Sequence, residues 1–136
     1  MGEFIRAFSV FFEVLITLIA EFYGVIHVME EAQKMELTNV WLKCDSALVC
    51  VTLTGLLLWQ NVHWMLRNRC NICLNYCGKI KFRVTHIFHE GNACVDKLAN
   101  LLFIHGESFH WYNRFPSNLF LEFFMNKYSL PMYCFY

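Results

Sequence analysis

Acidic side chains are absent from the middle of this 136-residue chain. Between positions 46 and 89 stand five basic residues, Arg67, Arg69, Lys79, Lys81 and Arg83, with no Asp or Glu. Proline is scarce: Pro116 and Pro131 are the only two, both in the final stretch. No internal repeat and no low-complexity segment occurs, which excludes repeat and fibrous architectures.

Long apolar runs are missing as well. The longest stretch free of charge is 46–66, and its solidly apolar part ends at Trp59, because Gln60, Asn61 and His63 follow. That gives about 20 Å of helix, short of the roughly 30 Å hydrocarbon layer. Residues 10–29 are numerous enough, but Glu13 and Glu21 interrupt them. A buried core helix therefore accounts for these runs better than a membrane span, and a small membrane protein is the weaker alternative. Glu3 and Arg6 give no basic start for a secretory leader, and no small-residue cleavage site follows.

What is present is apolar and aromatic. Hydrophobic residues make up 57% of the chain, enough for one domain with a sizeable core. The seven cysteines, at 44, 50, 70, 73, 77, 94 and 134, are odd in number and lie mostly in apolar runs. That suits reduced thiols and a reducing intracellular compartment, nuclear or cytoplasmic, better than a disulfide framework. Cys70, Cys73 and Cys77 form one helical stripe. Zinc would need a fourth ligand such as His63 or Cys94, so thiol packing is the better reading. Charge is uneven: residues 1–45 hold three basic and seven acidic side chains, ahead of the wholly basic middle. An acidic third beside a basic one suggests a cation site next to a polyanion-facing surface.

In chain order, residues 3–12 alternate as a strand. A helix follows over about 17–36, with Thr17 as cap and Leu18, Phe22, Val25, Ile26 and Met29 as apolar stripe. Residues 39–44 read as a central strand, with Val40, Leu42 and Cys44 on one face and Trp41, Lys43 and Asp45 on the other. Helices are expected over 46–58 and 62–77, a strand over 79–88, and a helix over 93–104 behind a turn at Gly91-Asn92. Residues 107–136 read as an aromatic tail, with a short helix over 117–127.

Three acids fall at matched places: Glu21 early in the first long helix, Asp45 at a strand end, and Asp96 early in a later helix. Clustered carboxylates repel unless a cation neutralises them, and hard oxygen ligands suit magnesium or manganese.

Three motifs then resemble the ribonuclease H family, in the form found in plant proteins and plant retroelements. Ala20-Glu21-Phe22-Tyr23-Gly24-Val25 is similar to its Ala-Glu helix start. Lys43-Cys44-Asp45-Ser46 is similar to its strand-ending Asp-Ser. The segment 86–99, with His86 six residues before Asn92 and ten before Asp96, is similar to its His-x-x-Arg-Glu-x-Asn-x-x-Ala-Asp segment. The likeness covers residues 2–104.

The resemblance implies an α/β fold, a mixed sheet flanked by helices over 1–106, with 107–136 as a tail. It implies cleavage of RNA in RNA–DNA hybrids with two Mg2+ or Mn2+ ions. Glu21, Asp45 and Asp96 would be metal ligands, His86 the mobile histidine that helps product leave, and Ser46 and Asn92 supporting residues. Arg67, Arg69, Lys79, Lys81 and Arg83 would meet the phosphates of a hybrid or RNA. Departures also stand out. The family's first strand carries an Asp in an Asp-Gly-Ser/Ala setting, and this chain has none before Asp45. His89 and Val95 replace a usual Arg and Ala. The expectation is therefore an N-terminally truncated domain, lacking the first strand and one of four metal carboxylates, with impaired cleavage. A non-catalytic vestigial binding domain is the alternative.

Overall fold

The computed structural model describes residues 7–10, 17–55, 62–105 and 109–127. The chain forms two compact units. One is continuous, Val14–Ile87; the other is split in sequence, Met1–Glu13 with Phe88–Tyr136.

The continuous unit is built on helix α1, Thr17–Lys34. Its apolar side chains recur every three or four residues, so one stripe (Ile19, Phe22, Val25, Ile26, Met29, Ala32) is buried. Against it pack strand β2 (Asn39–Cys44), helix α2 (Ala47–Leu53) and helix α3 (Arg67–Cys77), through Leu42, Val49, Leu53, Cys70 and Cys73. Each fully buried Phe, Ile or Met contributes about 1.5–3 kcal/mol relative to exposure. Strand β3, Lys81–His86, lies parallel to β2, with Trp41 opposite Arg83 and Cys44 opposite His86. A parallel pair needs a long crossover, supplied here by α2 and α3. The expected alternation along β2 holds: Leu42 and Cys44 are buried, and Asn39, Trp41 and Lys43 are exposed. The architecture is α/β, as the sequence predicts.

The cysteine stripe is core. Cys70, Cys73 and Cys77 are buried free thiols, as are Cys44 and Cys50. Burial pushes the Cys70 thiol up to about 11. Hydrogen bonding to Cys77, then burial, pushes Cys73 up as well.

Several boundaries differ from the sequence expectation. The helix expected over 46–58 stops at Leu53, because Thr54 caps it and Gly55 turns at φ +74°. Residues 56–61 lie outside the described set. The helix expected from Val62 opens instead as a 3-10 turn, Trp64–Leu66, and becomes α-helical at Arg67. Among the described residues no helix is long and apolar enough to cross a membrane.

The split unit carries β1 (Ala7–Val10), α4 (Ala93–His105), β4 (Phe109–Tyr112) and α5 (Phe120–Lys127). Strand β1 pairs antiparallel with β4, Ala7 opposite Tyr112. The tail expected as an appendage thus contributes a strand. Leu98 and Leu119 are its buried anchors, and the Phe115 and Phe123 rings lie 4.7 Å apart.

Two contacts join α1 to its surroundings in ways that can be tested. At its carboxyl end, the Leu37 amide bonds the Ala32 carbonyl and the Glu36 amide bonds the Gln33 carbonyl, the Schellman pattern. It places Glu36 at φ 54°, a left-handed backbone that glycine adopts without strain. On its polar face, Glu30 takes a bidentate pair of hydrogen bonds from Arg69 of α3, at 2.8 and 2.7 Å. Those bonds hold the Glu30 carboxyl below its ordinary value of 4.5.

Glu36→Gly is expected to stabilise the protein by about 1 kcal/mol in urea unfolding, since only the left-handed strain is removed. Glu30 binds fewer protons folded than unfolded, so its contribution is complete above pH 4.5 and disappears as pH falls through the folded value. Arg69→Met should flatten that acid limb of the stability curve and lower stability at neutral pH by about 1–2 kcal/mol.

Candidate functional site

The residues expected to do chemistry in the continuous unit meet where β2 ends and α2 begins. Ser46 is the N-cap of α2: its extended backbone and its hydroxyl, which accepts from the Val49 amide at 3.5 Å, start the helix. The same hydroxyl donates to a carboxylate oxygen of Glu21 at 2.6 Å. Glu21 lies in the second turn of α1, so one short side chain ties α1 to the β2–α2 turn. Asp45 sits between buried Cys44 and buried Ser46, at the carboxyl end of the parallel strands, the edge where open α/β sheets place ligands.

Backbone geometry fixes that turn from both sides. The Ser46 amide donates to the Cys44 sulfur at 3.4 Å, and the Cys50 thiol donates to the Cys44 carbonyl at 3.7 Å. From β3, the Ile87 amide also donates to the Cys44 carbonyl, at 2.9 Å. His86 Nε2 lies 3.1 Å from the Asp45 carbonyl oxygen. A carbonyl only accepts, so this nitrogen carries the hydrogen. The structure thus brings Glu21, Asp45, Ser46 and His86 to one end of one unit.

Asp96 and Asn92 belong to the split unit. Asn92 closes the 3-10 turn His89–Asn92, directly before α4. Asp96 stands in the first turn of α4, where a negative charge meets the helix dipole favourably. Its carboxylate lies 3.2 Å from Nε2 of His89.

Burial pushes the Cys44 thiol up to about 11, so it stays protonated and offers no thiolate. The carboxylates of Glu21 and Asp45 and the hydroxyl of Ser46 offer oxygen, the ligand type of hard cations, and the His86 imidazole stands beside them at the Asp45 carbonyl.

The basic residues divide. Arg69 is held by Glu30 and lies over the Tyr23 ring, 4.8 Å from its centroid. Arg67 is exposed and its Nε donates to the Val62 carbonyl at 3.3 Å. Lys79 and Lys81 are exposed and, with Thr38, Asn39 and Gly78, line an open cavity at the amino-terminal end of β2 and β3. Arg83 stands across the sheet from Trp41. Trp41 was not singled out from the sequence as a site residue. Each strand's outward face was legible by alternation; the register that puts them together was not.

Residues 9–102 match the reverse transcriptase-like family. That is most of the chain, and the chain belongs to this family, a ribonuclease H-like one. No curated protein and no solved structure matches it. The family's ribonuclease H-like character points to a nucleic-acid-related function.

Ser46→Ala removes a helix cap and the hydroxyl that Glu21 accepts from. It should lower unfolding stability by about 1–2 kcal/mol, with Ser46→Thr retaining most of it. Urea unfolding of the three proteins measures the difference.

Proposed function

We propose that the protein is a ribonuclease H-like nucleic-acid-binding domain of the plant retroelement type, whose family reaction cuts the RNA strand of RNA–DNA hybrids. The observation that carries this is Glu21 hydrogen-bonded to Ser46, the residue that follows Asp45 at the end of β2.

In this reading Glu21 and Asp45 would hold a divalent ion, Mg2+ or Mn2+, and have their meeting at the end of β2 in their favour; Asp96 enters on its motif. An ion held there would supply Lewis acidity to a water and to the leaving oxygen. Ser46 orients the Glu21 carboxylate by donating to it. His86, held at the Asp45 carbonyl, would help product leave. Asn92 holds the turn before Asp96. Arg67, Lys79, Lys81 and Arg83, with Arg69 behind them, meet backbone phosphates; recognition then follows groove shape and 2′-hydroxyls. The family domain spans 1–106, and 107–136 extends it.

Residues 1–44 hold no Asp to serve as the ligand shared between ions, which in this reading impairs cleavage. That same observation favours a second reading, a binding domain without chemistry. Incubation of the full chain with magnesium and labelled hybrid separates them. Slow cutting that Asp45→Asn abolishes, with hybrid affinity kept, supports the nuclease reading. Equal cutting by both proteins removes it. No cutting together with no magnesium binding in calorimetry leaves the binding domain alone.

A further inference from the structure

We propose that the outward face of the β2–β3 sheet is a stacking platform for single-stranded nucleic acid, with Trp41 under a base and Lys43, Lys81 and Arg83 on the phosphates. The inference rests on the nucleic-acid reading above and adds a strand type and a contact surface to it.

The core side of this sheet is filled by Val40, Leu42, Cys44, Phe82 and Val84. Strand alternation turns Asn39, Trp41, Lys43, Lys81 and Arg83 the other way, and all five are exposed. Trp41 is 55% exposed, a large apolar area to leave in water at mid-strand. It is also held in place. Its indole Nε1–H donates to the Thr85 hydroxyl on the neighbouring strand at 2.9 Å. The ring therefore lies across the sheet in one orientation, which lowers the ordering a ligand must impose.

Two cations stand against the ring. Lys43 Nζ lies 4.7 Å and Arg83 Cζ 4.6 Å from the Trp41 ring centroid. Neither strand contains an acid; the acids nearest in sequence, Glu36 and Asp45, stand outside β2. Along the strands, the parallel register sets Lys81 beside Asn39, next to the open cavity that Lys79 also lines. An aromatic ring with two cations against it matches a base and its flanking phosphates. A base that stacks on the indole displaces a cation, which then moves to the phosphate beside it.

The shape selects the strand type. In a duplex, base faces are stacked on each other, and only edges and phosphates are offered. A flat ring on an open sheet needs an unstacked base. Every base has a π-face, so sequence preference should be slight.

The test is fluorescence anisotropy of the full chain with a short labelled single-stranded RNA and, separately, with an RNA–DNA hybrid of the same length. Trp41→Ala should weaken single-strand binding by about 5- to 150-fold, the range for loss of one base stack, and leave hybrid binding within about twofold. Trp41→Phe, which keeps a ring, should retain most of the affinity. Arg83→Ala should lower the salt slope for the single strand by about one. Equal single-strand affinity for wild type and Trp41→Ala overturns the inference, as does a Trp41→Phe protein that binds no better than Trp41→Ala. Hybrid binding without single-strand binding also overturns it and leaves the proposed function standing. Single-strand binding through Trp41 without hybrid binding does the reverse.

Discussion

One hydroxyl holds the candidate site together. Ser46 accepts from the first turn of α2 and donates to Glu21 of α1, so the beginning of one helix and the side of another are tied at the end of β2. A carboxylate in a half-buried position needs such a donor, because leaving it unmet forfeits the water it gave up. The position of Asp45 follows from this tie. Cys44 before it and Ser46 after it are buried and hydrogen-bonded, which leaves the Asp45 backbone little freedom.

The same unit shows how packing and charge divide the labour. Its apolar stripe and thiol stripe pack into one core, and burial raises the Cys70 and Cys73 thiols. Cations are then sorted by position. Arg69 is drawn into an ion pair that fixes α3 on α1, whereas Lys79, Lys81 and Arg83 remain on outward surfaces. A basic run in sequence is therefore two things in space, a clamp and an exposed cationic surface.

Much of this was legible beforehand. Strand 39–44 coincides with β2, because a β-branched and aromatic run with a strict alternation leaves few choices. The stripe of α1 was legible for the same reason. What escaped was non-local. The four residues of β4 carry no period long enough to read, and they become a strand only because β1 supplies partners from the far end of the chain. The register between β2 and β3, which sets Arg83 against Trp41, is likewise a property of pairing. The stop of α2 at Leu53 was written in Thr54-Gly55, but the apolar run beyond it masked the signal.

The pairing of Ala7 with Tyr112 has a kinetic consequence. The core of Val14–Ile87 closes through contacts within that stretch. Strand β1 meets β4 only across most of the sequence, and a contact of such separation is slow to form. Until it forms, the hydrogen-bonding edge of β1 is open to other strands.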